Sequence, residues 1–312
     1  MDHLLRQNNP LRVPKPTPLA YDVHDLNGKF LVKQGELFST RLLQKMSRMA
    51  PPPNKKIRMR DHAVFGKDLL QAINKIPFHP LFSQNFSSSP FEKVLHEAGL
   101  PYWGIQALEY FKKMDPDTYW HSLRVFVLTA FMSLQFIKQQ KRKLLVASMG
   151  PLHDIGKFSV PLKVLQKKTL LSLEERNHIR YHVFSGAVLL SYYQGTENPF
   201  GAKVALEHHE RLDGSGYPFG ILLSDPMVEL IALCDVYDAL ISPRPYRNRA
   251  YDLRSGLEVL TEMAMDGTFS LDLVRFLIAL HRQEKTDYKK LALSKEIRGL
   301  PPEKNYYGQM LS

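Results

Sequence analysis

Side chains that could hold a metal ion are concentrated in the middle of this 312-residue chain. Six of the twelve histidines fall between residues 121 and 209, namely His121, His153, His178, His182, His208 and His209. Any one histidine is usually just hydrogen bonded or solvated, so only the set as a whole points to a site. Because a neutral imidazole is a common metal ligand, the set predicts a metal centre.

Aspartates lie beside these histidines or in apolar surroundings. In the stretch HDIGK, His153 is followed directly by Asp154, a carboxylate that could bridge two cations. Lys157 follows one helical turn later, where its ammonium group could meet a phosphate oxygen. Asp235 lies in the apolar stretch LCDVYDAL, where an unpaired carboxylate is costly, so a cation or a donor should lie beside it.

The ligand types indicate which metal and which reaction to expect. Mixed histidine and aspartate ligands without cysteine favour iron, manganese or a similar divalent ion over structural zinc. Two ions sharing Asp154 would activate a water and hold both oxygens of an in-line displacement at phosphorus. The residues therefore favour phosphodiester hydrolysis.

These side chains can converge only if the helices that carry them form a bundle. From about Gly104 onward, apolar residues recur three and four apart, which predicts a series of helices, including one over residues 119–140 and one over 174–193. Asp117 and His121, spaced i, i+4, would share one helix face. The prediction is a mainly α fold with a helical domain over residues 109–290 and a tail over 291–312.

Residues 1–108 have a different pattern, which predicts a small α+β module with a regulatory, packing or interaction role. Two short strands are expected around the Asn27-Gly28 turn, because this dipeptide favours tight hairpins. A helix should follow a cap at Ser39 or Thr40 and end before the stretch APPPNKK. No catalytic site is expected here.

Charge and composition limit the functional classes. The formal charge is +11, with basic runs at residues 54–60 and 138–143, but no motif for reading nucleic acid accompanies them, so a nucleic-acid binder ranks behind an enzyme for a phosphorylated substrate. The longest apolar-leaning run, residues 125–137, is too short to span a bilayer. The single cysteine and the polar N-terminus, which resembles no signal peptide, predict a cytoplasmic protein.

Five separated blocks resemble one known family in order and spacing. They are HDIGK from His153, YHVFSGAVLL around His182, HHERLDGSGYPFG from His208, CDVYDALISPRPYR from Cys234 and GTFSLDLVRF from Gly267. Together they resemble the HD-GYP family, a branch of the HD superfamily of metal-dependent phosphohydrolases. Members of this family are bacterial phosphodiesterases that linearise cyclic di-GMP. The resemblance covers roughly residues 115–282 and implies an HD-type helical bundle.

The resemblance also implies roles for individual residues. The implied metal ligands are Asp117, His121, His153, Asp154, His182, His208, His209 and Asp235. Asp154 would bridge two ions, and Asp117, which stands where the family often has glutamate, would bind a third. Lys157 and Tyr217 match positions that contact the substrate, and Arg244 and Arg247 match cations that hold phosphate or guanine. The resemblance thus implies that cyclic di-GMP is opened to pGpG at Asp154 and Lys157, with onward cleavage to GMP left open.

Some positions depart from the family pattern. Gly150-Pro151 precedes the HD pair, so Pro151 should start or kink a helix. The segment between Gly220 and Asp235 is two residues short, and Glu229 stands where arginine is common. His178 and His182 are spaced i, i+4 but lack the glutamate of a zinc-protease helix, so His178 is expected to be a surface neighbour.

Two alternatives to a cyclic di-GMP hydrolase stay open from the sequence. One is a weak or inactive domain that binds cyclic di-GMP and contacts a signalling protein through the N-terminal module or the loop at Tyr217. The other is an HD hydrolase of a different nucleotide.

Overall fold

The computed structural model describes residues 11, 13–52, 56–62, 64–75, 90–195, 199–243, 249–282, 287–294, 296–299 and 302. Within these ranges, no helix combines the length and the apolar character needed to cross a membrane. The fold is mainly α, as predicted, and its few strands lie before residue 102.

Six short strands occur in the described ranges, all paired antiparallel. They are β1 (Thr17–Pro18), β2 (Val23–His24), β3 (Phe30–Val32), β4 (Leu37–Phe38), β5 (Lys56–Arg58) and β6 (Gly99–Pro101). β1 pairs with β4, β2 with β3, and β5 with β6. The predicted hairpin at Asn27-Gly28 is confirmed as β2–β3. Gly28 has a φ of 80°, a conformation that glycine adopts without steric cost.

Thirteen α-helices lie in the described part of the chain. They are α1 (Thr40–Arg48), α2 (Phe65–Lys75), α3 (Pro90–Glu97), α4 (Tyr102–Met114), α5 (Pro116–Phe136), α6 (Gln140–Met149), α7 (Leu162–Leu165), α8 (Leu173–Arg180), α9 (His182–Gln194), α10 (Pro199–Glu207), α11 (Pro226–Ile241), α12 (Leu253–Met265) and α13 (Leu271–Leu280). The predicted cap is confirmed, since the Ser39 hydroxyl accepts the Leu42 N–H at 3.2 Å.

Two helix predictions need correction. The helix predicted over residues 119–140 ends at Phe136, and α6 begins four residues later. The single helix predicted over 174–193 is divided at Tyr181 into α8 and α9. The Tyr181 hydroxyl donates to the Tyr21 carbonyl at 2.8 Å, so the division lies where the N-terminal module contacts the helical domain. Helical periodicity does not reveal such a point, because Tyr181 itself keeps a helical backbone conformation with a φ of −64° and a ψ of −18°.

The hydrophobic core is continuous from the N-terminal module into the helical bundle. One cluster of buried side chains extends from Leu19 to Leu277. The predicted domain boundary between residues 108 and 109 falls inside α4, where the packing is continuous. The boundary therefore stays a prediction. Further contacts join the two parts, including a hydrogen bond from the Leu26 N–H to the Tyr193 hydroxyl at 2.9 Å.

Candidate metal centre

Seven of the eight expected ligands converge in two groups. One group contains Asp154, His182, His208 and His209, and the other contains His121, His153 and Asp235. Within each group, the potential ligand atoms all lie within 4.8 Å of one another. Six of the seven residues are buried, and His209 is half-buried. The helical bundle therefore brings together side chains that are as far as 114 positions apart in the sequence, from His121 to Asp235.

Several elements carry these ligands. His121 lies in α5, Asp235 lies in α11, and His182 is the first residue of α9. The HD pair lies between two short 3₁₀ turns, Gly150–Leu152 and Ile155–Ser159. Pro151 is therefore the second residue of a 3₁₀ turn that follows α6 and does not kink a longer helix.

Close backbone packing at Gly156 fixes α9 against the turn that follows the HD pair. A Cβ atom on Gly156 would lie 1.8 Å from the His182 carbonyl oxygen and 2.5 Å from the Gly186 nitrogen, so only glycine fits. The Ser185 hydroxyl also donates to the Gly156 carbonyl at 3.0 Å. This contact holds His182 close to Asp154.

Asp154 lies between the two groups. Its Oδ2 atom is 3.5 Å from the Nε2 of His121 and 3.3 Å from the Nε2 of His153. Its Oδ1 atom is 3.3 Å from the Nε2 of His182 and 3.9 Å from that of His208. One carboxylate oxygen therefore faces each group, which is the geometry of a ligand shared by two ions.

Hydrogen bonds fix the tautomers of three histidines. The Nδ1 atoms of His153 and His182 donate to the carbonyls of Gly150 and Ile179, at 2.5 and 2.6 Å. The Nδ1 of His208 donates to the Val204 carbonyl at 2.9 Å. Because a carbonyl oxygen only accepts, these Nδ1 atoms carry protons, and in the neutral rings each Nε2 keeps its lone pair for a metal.

The Nε2 atoms face one another in a way that fits a cation. The Nε2 atoms of His121 and His153 are 3.3 Å apart, and those of His182 and His208 are also 3.3 Å apart. In the neutral pair His182 and His208, two lone pairs at this distance repel unless a positive charge lies beside them. The donor set therefore fits divalent ions that prefer imidazole and carboxylate ligands.

Local electrostatics keep most ligands in the form that binds metal. Burial raises the pKa of Asp154, but the Lys157 ammonium together with His153 and His121 outweighs this effect, and the pKa lies well below its usual range. Burial raises the pKa of Asp235 as well, but its interactions with His121 and His153 together overcome this effect, and the pKa is far below its usual range. Burial lowers the pKa of His208 to about 3, so this imidazole is neutral at physiological pH.

His153 differs from His208. Burial lowers its pKa, but the carboxylates of Asp154 and Asp235 outweigh that effect and raise the pKa to about 10. This histidine is therefore protonated in the metal-free protein and balances part of the negative charge. A metal ion would supply that balance in its place.

Asp238 is a functional candidate that the sequence interpretation missed. This fully buried carboxylate accepts a hydrogen bond from the Nδ1 of His121 at 2.6 Å. It also accepts from the Arg124 guanidinium, which lowers its pKa despite burial. Asp238 orients His121 in the way that carboxylates orient metal-bound histidines. The available signal was a second carboxylate in an apolar helix, three residues after Asp235.

The glycine-rich loop after His209 lies against the ligand groups. The Tyr217 ring stacks on the His209 ring with centroids 4.5 Å apart, and the Arg180 guanidinium lies 4.6 Å from the centre of the Tyr217 ring. Glu210, also fully buried, accepts the N–H groups of Phe219 and Ile221 at 2.8 and 3.1 Å. Glu210 therefore anchors the loop, a role that the sequence interpretation did not assign.

Glu229, which stands where arginine is common in the family, supports this loop indirectly. The Glu229 carboxylate accepts the Ser270 N–H at 2.6 Å, and the Leu212 N–H donates to the Thr268 carbonyl at 3.2 Å. The residue that stands in place of arginine thus connects α11 to the start of α13, beside the segment that contacts the loop.

A family model with the description "HD domain" matches residues 112–270. The chain belongs to the HD domain family. Over 136 residues, it is 35% identical to "Cyclic di-GMP phosphodiesterase" from Thermotoga maritima, covering 43% of this chain and 37% of that protein. Over 108 residues, it is 44% identical to "Cyclic di-GMP phosphodiesterase response regulator RpfG" from Xanthomonas campestris, covering 33% of this chain and 28% of that protein.

A longer match reaches beyond the HD domain. Over 220 residues, the chain is 28% identical to "3'3'-cGAMP-specific phosphodiesterase 3" from Vibrio cholerae, covering 66% of this chain and 47% of that protein. The chain spans less than half the length of each of these three relatives. The resemblance to HD-GYP proteins found in the sequence is confirmed.

The remaining expected residues differ in their position relative to the two ligand groups. Lys157 is at the centre, with its ammonium group 2.5 Å from Oδ2 of Asp154. Asp117 is exposed in the first turn of α5 and lies outside both ligand groups. Arg244 and Arg247 lie outside the described residues. His178, which was not expected to be a ligand, stacks on Tyr21 with centroids 3.5 Å apart.

Proposed function

We propose that this HD domain is a metal-dependent phosphodiesterase that opens cyclic di-GMP to linear pGpG. The observation that carries the proposal is the Asp154 carboxylate, whose two oxygens face two separate groups of histidine nitrogens. Such a bridged pair of sites suits phosphoryl transfer. The names of the relatives from Thermotoga and Xanthomonas support the substrate.

The two ligand groups would each hold one divalent ion, with iron or manganese as the proposed metals. When bound, such ions supply Lewis acidity and an activated water for in-line displacement at phosphorus. Asp154 would hold both sites at a fixed separation. The Lys157 ammonium lies beside Asp154, where it would bind a phosphate oxygen and stabilise the negative charge that builds there. Asp238 would keep His121 in its ligand orientation.

Other roles in the proposal concern substrate and a third ion. Tyr217 would lie beside the substrate, because its ring covers His209. Arg244 and Arg247 would hold phosphate or guanine. Asp117 would bind a third ion if substrate brings one to the first turn of α5, one helical turn from His121.

Metal analysis paired with product analysis tests this function. Protein purified without air should contain about two iron or manganese ions per chain and convert cyclic di-GMP to pGpG, with GMP appearing if cleavage continues. Asp154→Asn should lose at least one ion and roughly 100-fold in rate, since several kcal/mol of stabilisation depend on this centre. Asp272→Asn, an exposed change on α13, is the matched control. Metal-loaded protein that leaves cyclic di-GMP intact would overturn the assignment of cyclic di-GMP as the substrate.

A second candidate substrate is 3'3'-cGAMP, which the name of the Vibrio relative favours because that match extends over 66% of this chain. Competition between equal concentrations of the two cyclic dinucleotides separates the candidates, because the ratio of their products gives the ratio of kcat/KM. Binding of both without turnover at saturating metal would instead support the binding-module alternative.

A further inference from the structure

A cavity of about 260 Å³ lies between the N-terminal module and the loop that carries Tyr217. The segment Thr17–Ala20, which contains β1, forms one wall. Arg180, Phe184 and Tyr217 line the opposite side. The N-terminal module, for which no catalytic site was expected, thus borders the loop beside the candidate metal centre.

The cavity is separated from the metal centre by a single aromatic ring. Tyr217 stacks on His209, with an angle of 18° between the ring planes, and Arg180 also lies over the Tyr217 ring. Two flat groups cannot occupy the same face of one ring, so Tyr217 lies between His209 and Arg180. A nucleobase is joined to its phosphate through one ribose, so a phosphate at the metals leaves its base close to Tyr217.

The chemistry of the walls suits a flat, polar-edged ring. Phe184 offers aromatic surface, and prolines from both sides add apolar contacts. Of the described residues that line the cavity, Arg180 is the one cation, and a guanidinium can pair with the O6 and N7 acceptors of guanine. The volume is below the roughly 300–1,000 Å³ of sites for whole drug-sized ligands, so it fits part of a cyclic dinucleotide.

We propose that this cavity receives one nucleobase of the substrate and that Thr17–Ala20 is a specificity-determining wall. Arg180 pairs with the acceptor edge of the base, while Phe184 contacts its face and Tyr217 supports the Arg180 guanidinium. The N-terminal module then acts in substrate selection as well as in packing. This inference rests on the proposed function, since it assigns a subsite to that same substrate.

Filling the cavity provides the test. Ala20 is exposed at the cavity wall, so Ala20→Trp adds bulk there without disturbing the core. Lys33→Trp, an exposed change in the same module that does not line the cavity, is the matched control. The measurement is kcat/KM for cyclic di-GMP divided by kcat/KM for bis(4-nitrophenyl) phosphate, which lacks a nucleobase. Ala20→Trp and Arg180→Met should each lower this ratio at least fivefold, and Lys33→Trp should not.

Calorimetric binding of GMP separates failure of the inference from failure of the proposed function. GMP has one base and no phosphodiester, so its binding reports on the cavity whether or not the protein hydrolyses cyclic di-GMP. The Kd of GMP should rise at least fivefold in Ala20→Trp and stay the same in Lys33→Trp. Wild-type protein that does not open cyclic di-GMP would overturn the proposed function alone. An equal Kd for GMP in wild type and Ala20→Trp, or no binding by wild type, would overturn the cavity assignment.

Discussion

At the scale of single residues, several of the proposed ligands depend on a neighbour that fixes their charge or orientation. His153 and His182 are held by backbone carbonyls, whereas His121 is held by the Asp238 carboxylate. A carbonyl is part of the fold and cannot be removed by a side-chain change. The Asp238 contact can be removed, so it offers a direct test of how orientation affects the site.

Asp238→Asn should weaken metal binding by roughly 10- to 100-fold, because outer partners of metal ligands have effects of this size. The amide has lost the negative charge that favours donation from His121 and that pairs with Arg124. Chelator competition on the folded protein measures the metal affinity.

Ser242→Ala is the matched control for this change. The Ser242 hydroxyl donates to the other oxygen of Asp238 at 2.9 Å and is not the partner of His121. Its loss should change metal affinity much less. Equal metal affinity in Asp238→Asn and wild type would contradict the orienting role.

Glu229 should make the protein less stable as pH rises. Burial raises its pKa from 4.5 to about 7, so the folded state holds the proton more tightly than the unfolded state. The resulting stabilisation is fully present below pH 4.5 and is lost as pH rises through 7. Glu229→Gln keeps an acceptor for the Ser270 N–H without a buried charge, so it should raise the free energy of unfolding at pH 8 by about 2 kcal/mol.

Urea unfolding of both proteins at pH 5.5 and pH 8 checks this prediction. The gain from Glu229→Gln should be smaller at pH 5.5, where the wild-type carboxyl is mostly protonated in the folded state. Comparing the two proteins removes the contribution of other groups, such as Glu207, whose pKa burial also raises to about 7. If the two proteins differ in free energy of unfolding by the same amount at both pH values, Glu229 is not the source of the pH dependence.

At the scale of secondary-structure elements, the site depends on how closely α9 approaches the turn after the HD pair. The contact occurs between backbones at Gly156, His182 and Gly186, so no side-chain rearrangement can relieve a clash there. A change at this contact should therefore move a whole ligand-bearing helix.

Gly156→Ala should lower the free energy of unfolding by about 3 kcal/mol and reduce the metal content, because the new methyl group overlaps the His182 carbonyl. Gly104→Ala, inside α4, is the control. Its Cβ would meet only side-chain atoms at 3.3 Å or more, so it should cost little. Thermal unfolding and metal analysis measure both effects. Gly156→Ala protein with wild-type stability and metal content would show that the close backbone contact between Gly156 and α9 does not require glycine.

At the scale of the whole molecule, the N-terminal module and the HD domain share one hydrophobic core. Aromatic pairs cross between them, including Tyr21 with His178 and Phe38 with Phe184. Two parts joined in this way should unfold together, so a single transition is expected in denaturant.

Tyr193→Phe tests whether the N-terminal module and the HD domain unfold together. The Tyr193 hydroxyl accepts the Leu26 N–H from the N-terminal module, and its loss should cost about 1 kcal/mol across one cooperative transition. Tyr192→Phe, a change in the adjacent residue, should have a smaller effect. Urea unfolding followed by circular dichroism and by tryptophan fluorescence measures both. Transitions that differ between the two probes would show that the parts unfold separately.

The sequence alone determined the residue types of the site and the mainly helical fold. Helical periodicity and the spacing of HDIGK, His208-His209 and Asp235 are local patterns, and local patterns can be read without knowing how helices pack. The hairpin at Asn27-Gly28 and the cap at Ser39 were also predictable, because each depends on residues a few positions apart.

Tertiary structure decided what depends on contacts between distant elements. Asp238 and Glu210 became visible as partners of His121 and of the glycine-rich loop only once α11 and that loop were placed. The division of α8 from α9 lies at a contact with the N-terminal module 160 positions away, and the same module forms a wall of the cavity beside Tyr217. Periodicity reports which face of a helix is buried but not which partner covers it, so these features required the folded chain.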